Sequence, residues 1–212
     1  MEYFTAHFWC PCEEHAASLV LQQAYHRERG MPVVLACILK NRQGENGFSR
    51  ALIDWFYGTG LELCSRYGEK RLEVIESGLY NFLTQTSWEE MTGILIVGQC
   101  FILFRQGMQK CHLLNTRNHN SKCRELAAAQ ADSKLRLENG ILQSGVGILL
   151  ESASFYEGIS RNMVEECLNM RELRSQKQVD KRLEELGGVA RAKYRNDGKY
   201  GNGLCAVLIV AR

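Results

Sequence analysis

The chain has 212 residues, of which 45% are hydrophobic and 24% are charged. This length can bury one sizeable core and lies near the upper range of a single domain, so we expect residues 1–212 to form one domain. Lysine and arginine number 26 against 24 aspartate and glutamate residues, for a net charge of +2. Such a balance gives no strong case for nucleic acid or for an anionic membrane surface as a partner.

No stretch approaches the roughly 18 consecutive apolar residues of a transmembrane helix, and the first residues lack a basic region followed by an apolar one. We therefore expect a cytoplasmic protein that does not enter a membrane. The nine cysteines are scattered, several of them inside apolar segments, where a free thiol behaves as a small hydrophobic side chain. A reducing compartment explains them more simply than a disulfide framework.

The first third of the chain predicts a hairpin followed by two helices. Apolar runs at 19–25 and 33–39 are separated by a polar turn, and the second run is apolar on both faces, as in a central strand. The composition of 41–47 is typical of a loop. Apolar residues then share one face of a helix until the glycines of 58–60, which should interrupt it, and they recur at helical spacing in 72–82.

The middle of the chain predicts more strands. Apolar runs at 94–97, 100–104 and 111–114 are separated by short turns, which indicates an antiparallel meander. Residues 117–130 are polar and weakly patterned, so we expect a surface excursion there. Asn139-Gly140 is a strong hairpin-turn signal.

The last third predicts a strand, helices and a final strand. One helix should begin after Ser160 and another after Ser175, where apolar residues from 179 to 194 share one side. Residues 204–210 form another fully apolar run. This order of strands and helices predicts an α+β layered domain.

The most informative stretch follows the apolar run 147–151, which ends in the small residues Ser152, Ala153 and Ser154. An aromatic pair and a further serine that can cap a helix come next. The pattern predicts a buried strand that delivers a turn at its C-terminal end, a place where active sites are often built. No charged group lies where that turn is tightest.

This stretch resembles the strand that carries a metal-binding Ser-Asp-Gly turn in the metal-dependent serine/threonine protein phosphatases of type 2C, with Ala153 in place of the aspartate. Residues 92–107 look like the family's Gly-Thr-Thr strand, hairpin and Gly-Asp-Ser-Arg turn. Residues 183–207 look like its last helix and its Arg-Asp-Asn-Ile-Thr-Ala-Val strand. The resemblance covers nearly the whole chain and implies two stacked antiparallel β-sheets flanked by helices, an αββα sandwich.

In that family, carboxylates hold two Mg²⁺ or Mn²⁺ ions, and a water that bridges the metals attacks a phosphoserine or phosphothreonine. Hard divalent cations require such oxygen ligands. The corresponding positions carry other residues in this chain: His15, Leu39 (with Lys40 next to it), Met108, Ala153 and Asn202. The resemblance therefore implies that the chain has no catalytic residue and no metal cofactor.

Nearby acids could replace the missing aspartates: Glu14, Glu45, Glu151 and Asp197. If they do, the chain is an active phosphatase that uses Mg²⁺ or Mn²⁺ with displaced ligands. If they are solvated surface carboxylates instead, the domain is a pseudophosphatase. Its role would then be to bind or regulate a protein partner, such as a phosphoprotein, a kinase or an active phosphatase.

The N-terminal segment offers ligands that Zn²⁺ prefers, with thiols at Cys10 and Cys12 between His7 and His15. In an extended segment the two thiols would point the same way. However, the usual two-residue spacer is missing, and no second cysteine pair completes a familiar zinc finger. The other interpretation is an edge strand that Pro11 interrupts.

Two further patterns have simpler explanations than chemistry. Cys111 beside His112, and His119 near Cys123, could form a thiolate nucleophile, but no orienting acid is evident, so structural cysteines and surface histidines explain them. A basic cluster near the final turn fits a solvated face as well as an acidic or phosphorylated partner. This cluster consists of Arg191, Lys193, Arg195 and Lys199.

Overall fold

The computed structural model describes residues 1–10, 17–40, 47–86, 90–117, 120–126, 134–196 and 203–212. Within these ranges, ten strands form two five-stranded antiparallel β-sheets. Helices pack on the outer face of each sheet. The predicted fold class, an α+β sandwich of two stacked antiparallel sheets flanked by helices, is confirmed.

The strands in chain order are β1 (Tyr3–Cys10), β2 (Ala17–His26), β3 (Met31–Lys40), β4 (Glu90–Val97), β5 (Cys100–Gln106), β6 (Lys110–Arg117), β7 (Asn120–Glu125), β8 (Arg136–Ile141), β9 (Gly147–Glu151) and β10 (Leu204–Ala211). The first sheet has the order β1-β10-β9-β6-β7, and the second has the order β2-β3-β4-β5-β8. The predicted β2–β3 hairpin is confirmed, and β3 lies inside its sheet between β2 and β4.

The α-helices are α1 (Gly47–Trp55), α2 (Leu61–Tyr67), α3 (Leu72–Gln85), α4 (Ala153–Gly158), α5 (Arg161–Cys167) and α6 (Gln176–Asn196). Helix α6 buries the apolar side predicted for it, including Leu183 and Ala190. Ser160 caps α5, as predicted, by accepting a hydrogen bond from the backbone N–H of Met163. The aromatic pair after Ser152, in contrast, belongs to the short helix α4 rather than to a turn alone.

Side chains on each central strand alternate between two environments, as the pleat of a strand requires. In β3, Ala36 and Ile38 pack between the two sheets, whereas Cys37 and Leu39 pack beneath α1–α3. In β9, Leu150 lies between the sheets, whereas Leu149 and Glu151 point towards α4–α6. This alternation determines whether a polar residue at a strand end points between the two sheets or towards the helices.

The glycines at 58 and 60 do not interrupt the helical segment, contrary to the prediction. Residues Phe56–Gly60 form a π-helical turn that joins α1 to α2. Gly60 keeps helical dihedral angles, φ −60° and ψ −50°. A Cβ there would lie 3.0 Å from the Trp55 ring. Glycine therefore lets the helix pass close to a large side chain rather than ending it.

The predicted meander is also wrong in its third strand. Strand β6 crosses to the first sheet and pairs with β9, while β5 pairs with β8. Residues 120–125, predicted as a surface excursion, form the edge strand β7. Among the β7 residues whose burial is described, 122–125, Cys123 alone enters the core beneath the helices. A single buried residue on an edge strand leaves little hydrophobic pattern to detect.

The Asn139-Gly140 signal does not mark a turn, because both residues lie within β8, opposite Ile102 and Phe101. A Cβ at Gly140 would lie 2.7 Å from the Phe101 ring, so the glycine serves close packing. The chain reverses instead at Gly145, where φ is 83°. Only glycine adopts such an angle readily.

Candidate functional site

The positions that correspond to the family's metal ligands divide into two groups. His15 and Asn202 lie outside the described residues, as do the candidate replacements Glu14, Glu45 and Asp197. Leu39, Met108 and Ala153 are described. Leu39 is fully buried beneath α1–α3, and Met108 is exposed in the turn between β5 and β6.

Ala153 is the first residue of α4, directly after the cap residue Ser152. The Ser152 hydroxyl accepts hydrogen bonds from the backbone N–H groups of Phe155 at 3.3 Å and Cys205 at 3.1 Å, and it donates to the Gly203 carbonyl at 3.4 Å. Ser152 thus ties the start of α4 to the start of β10. Its role in this turn is structural.

Next to Ala153, the ends of β3 and β4 carry an ion pair between the sheets. Lys40 follows Ile38 by two residues and therefore points inwards, and its ammonium lies 3.5 Å from the carboxylate of Glu90. Gln109 donates from Nε2 to the other Glu90 oxygen at 3.3 Å. Its Oε1 accepts a hydrogen bond from the backbone N–H of Ala153 at 3.0 Å. One continuous network thus links both sheets at this end.

A second cation lies deeper on the same face. In the strand register, Arg105 lies opposite Thr92, and Thr92 lies opposite Ile38. Because Ile38 points between the sheets, the side chains of Thr92 and Arg105 point there as well. Arg105 is only 7% exposed. Sequence analysis missed Arg105 and Gln109, because strand alternation becomes informative only when the sheet faces are known.

These residues do not fit a pair of divalent metal ions. Such ions need several converging oxygen ligands, but the described side chains at this end supply one carboxylate, Glu90, which already pairs with Lys40 and Gln109. The two cationic groups, Lys40 and Arg105, would repel a metal. Among the described residues, no group of three histidine, cysteine or acidic side chains could hold a metal ion.

Glu151 does not belong to this network, because it points to the opposite face of the first sheet, towards α4–α6. Its side chain is fully buried, with one carboxylate oxygen 3.6 Å from Nδ1 of His112. The prediction of a solvated surface carboxylate at this position is therefore wrong. Burial raises the pKa of Glu151 to about 8, with a smaller contribution from the nearby Glu125 carboxylate.

His112 is likewise buried rather than at the surface, which corrects the prediction for this residue. Its ring stacks on Tyr156 of α4, with 5.5 Å between the ring centroids. Burial lowers the pKa of the imidazole, so it is neutral at pH 7. The ammonium of Lys110 lies 5.0 Å from the Tyr156 ring and 3.0 Å from the Glu125 carboxylate.

This polar cluster borders a pocket of about 90 Å³ beneath α4 and α5. That volume is a fraction of the roughly 300–1,000 Å³ typical of ligand sites. Cys123 also borders the pocket, but burial raises the pKa of its thiol to about 12. Cys111 points to the other face, between the sheets. Neither thiol is a thiolate at neutral pH, so a cysteine nucleophile activated by His112 is not supported.

The described part of the chain includes two of the four potential zinc ligands. Cys10 is the last residue of the edge strand β1 and is partly exposed, and His7 lies on the same strand. Cys12 and His15 lie outside the described residues. The predicted edge strand is confirmed, because β1 pairs only with β10. Zinc binding at Cys10 and Cys12 stays an untested alternative.

Solved structures with the same architecture are bacterial serine/threonine phosphatases. The S. agalactiae serine/threonine phosphatase superposes with a TM-score of 0.63 at 12% identity, covering 100% of both chains. PstP of Mycobacterium tuberculosis gives 0.62 at 12% identity and 99% of both chains. PppA, described as a key regulatory component of T6SS in Pseudomonas aeruginosa, gives 0.60 at 12% identity, with 100% of this chain and 99% of PppA covered.

The chain has the type 2C phosphatase fold. No family model matches its sequence, and no curated protein does. At 12% identity the likeness establishes the fold, which many functions can share. Among the described helices, none is both long enough and apolar enough to span a membrane.

Proposed function

We propose that this domain is a catalytically silent member of the type 2C fold, a pseudophosphatase that acts by binding a protein partner. The observation that carries the proposal is the Lys40–Glu90–Gln109 network beside Ala153. It occupies the end of the sandwich where the family resemblance requires metal-binding carboxylates. A lysine ammonium repels a divalent cation, and an amide whose oxygen already accepts a hydrogen bond is a weak ligand for one.

The partner class that we favour is a phosphoprotein or a kinase, and the compartment that we favour is the cytoplasm. The structures that share this fold are of serine/threonine phosphatases, which act on phosphorylated proteins. PppA, which has the same fold, is described as a regulatory component. These points support a regulatory role without identifying a partner.

The alternative is an active phosphatase with displaced ligands, using Mg²⁺ or Mn²⁺. The catalytic domain of PstP has been solved in complex with two manganese ions, at 12% identity to this chain. Of the candidate replacements, Glu45 and Asp197 lie outside the described residues. The Glu151 side chain lies on the helix-covered face of the first sheet, whereas Glu90 points between the two sheets. The two carboxylates therefore could not bind one metal ion together.

Calorimetric titration of the intact chain with Mn²⁺ tests the proposal, with an active family member as the control. We expect no heat of binding while the control binds. Binding at micromolar strength, followed by Mn²⁺-dependent release of phosphate from a phosphopeptide, would overturn the proposal. The variants Glu45→Gln, Asp197→Asn and Glu151→Gln would then identify the displaced ligands.

A further inference from the structure

A groove of about 680 Å³ lies at the opposite end of the sandwich from Lys40. It is bordered by the start of β3, the turn between β4 and β5, and the segment that joins α2 to α3. Because β3 has ten residues, the two ends are roughly 30 Å apart. The basic side chains in its lining are all exposed: Arg29, Arg66, Lys70 and Arg71.

Two of these arginines are held by one aromatic ring. The guanidinium carbon of Arg66 lies 5.4 Å from the centroid of Tyr67, and that of Arg71 lies 5.7 Å from the same centroid. Contacts of this kind stabilise a guanidinium, because the negative face of the ring attracts the positive charge. They also favour side-chain positions that keep the two charges near Tyr67, which lines the groove.

The third arginine, Arg29, comes from a different part of the chain, and the backbone of residues 66–68 accommodates its guanidinium. Arg29 Nη2 donates a hydrogen bond to the Arg66 carbonyl at 3.1 Å. Its Nη1 would lie 2.7 Å from a Cβ at residue 68, where the chain has Gly68. Gly68 has φ 58° and ψ −157°, a conformation that is essentially restricted to glycine. Both the space and the backbone there exclude a side chain.

Two acids near the groove, Glu69 and Glu73, compensate only part of the charge of its four basic side chains. The Glu69 carboxylate accepts a hydrogen bond from the backbone N–H of Gln99, and Glu73 lies 3.4 Å from Arg71 alone. Among the described side chains, Arg29 and Arg66 form no ion pair with a carboxylate. Gathering like charges is unfavourable unless an anion compensates them.

We propose that this groove binds a phosphoryl group carried on a protein segment. Guanidinium groups suit phosphate oxygens because their planar N–H donors can bond two oxygens at once. Three of them at one groove favour a compact, doubly charged anion over separate carboxylates. The groove volume leaves room for residues on either side of the phosphoryl group. This inference stands whether or not the domain hydrolyses phosphoesters.

Fluorescence anisotropy with the intact chain and a labelled five-residue peptide, Ala-Ala-phosphothreonine-Ala-Ala, tests the proposal. We expect saturable binding that weakens as salt rises. Arg29→Gln and Arg66→Gln should each weaken it by at least about ten-fold. Arg50→Gln, an exposed arginine of α1 away from the groove, is the matched control and should leave binding unchanged. Thermal melting of each variant verifies that it is folded.

Three competitors distinguish the source of the anion: inorganic phosphate, the same peptide with glutamate in place of phosphothreonine, and a double-stranded DNA oligonucleotide. Weak competition by phosphate and little by the glutamate peptide is the expected result. No binding of the phosphopeptide, or binding that survives both Arg29→Gln and Arg66→Gln, overturns the proposal. DNA that binds more tightly than the phosphopeptide overturns it in favour of nucleic acid.

Discussion

A carboxylate oxygen of Glu151 lies 3.6 Å from Nδ1 of His112, and neither atom has a hydrogen-bond partner among the described residues. The distance is beyond that of an ordinary hydrogen bond. Four groups face the pair from the packed elements around it: Lys110 of β6, Glu125 of β7, Tyr156 of α4 and Arg161 of α5. Burial favours the uncharged form of both side chains, so the stability of the fold must depend on pH.

The first prediction concerns this pH dependence. Burial raises the Glu151 pKa from its ordinary value of 4.5 to about 8 in the folded chain, so the carboxyl stabilises the fold most when it is protonated. Stability should fall as pH rises between these values, by up to about 1.4 kcal/mol per pH unit. Burial also lowers the pKa of His112 below its ordinary value of 6.5, which opposes this trend at pH values below 6.5. The decline should therefore be clearest from pH 6.5 to 8.

Glu151→Gln should remove this decline, because the amide stays neutral at every pH. Urea unfolding at pH 6.5, 7.2 and 8 measures the effect. Glu157→Gln, an exposed position on α4, is the matched control and should keep the pH dependence of the natural chain. A Glu151→Gln profile that still falls with pH would show that another group is responsible.

The second prediction concerns the network at the end of the sandwich. Gln109 is 4% exposed and links Glu90 to the backbone N–H of Ala153. Gln109→Ala should cost about 1–3 kcal/mol of unfolding free energy, because both partners lose a hydrogen bond in a buried place. Gln143→Ala, at an exposed position, should change stability by less than about 0.5 kcal/mol. Equal effects of the two changes would mean that the network contributes nothing to stability.

Sequence reasoning predicted correctly the elements whose hydrophobic residues recur with one clear period. Strand β3 and helix α6 bury nearly every apolar residue on the predicted face, and the family resemblance gave the arrangement of the two sheets. Sequence reasoning failed where tertiary contacts determine the local structure. Gly140 looks like a turn residue but makes room for the Phe101 ring, and within 122–125 of β7 only Cys123 is buried.

The candidate site was less predictable than the fold for a geometric reason. The residue types at Met108 and Ala153 indicated missing ligands, but nothing in the sequence shows that Lys40 and Glu90 form an ion pair 50 positions apart. Glu151 illustrates the opposite error. A charged residue at the end of an apolar strand is usually solvated, and only the packing of α4 and α5 over the sheet reveals that it is buried.

The third prediction compares two helix caps. Ser152 caps α4 and also accepts a hydrogen bond from the backbone N–H of Cys205, within the core. Ser160 caps α5 at an exposed position, with one such bond to Met163. Ser160→Ala should cost about 1 kcal/mol, typical of a cap. Ser152→Ala should cost about 1–3 kcal/mol more, because buried groups of β10 lose their partner. Urea unfolding midpoints measure both, and equal losses would contradict the structural role of Ser152.

The fourth prediction uses two adjacent glycines of α6. A Cβ at Gly187 would lie 2.2 Å from the Phe8 ring, which is itself fixed against Phe155 at a centroid distance of 5.8 Å. Gly187→Ala should therefore destabilise the fold by about 1–3 kcal/mol, as overpacking of a core does. A Cβ at Gly188 meets nothing within 4 Å. Gly188→Ala should stabilise α6 by about 0.5–1 kcal/mol, because alanine favours a helix over glycine. Thermal melting of both variants measures changes of opposite sign, and a gain in stability from Gly187→Ala would mean that β1 does not pack against α6 as described.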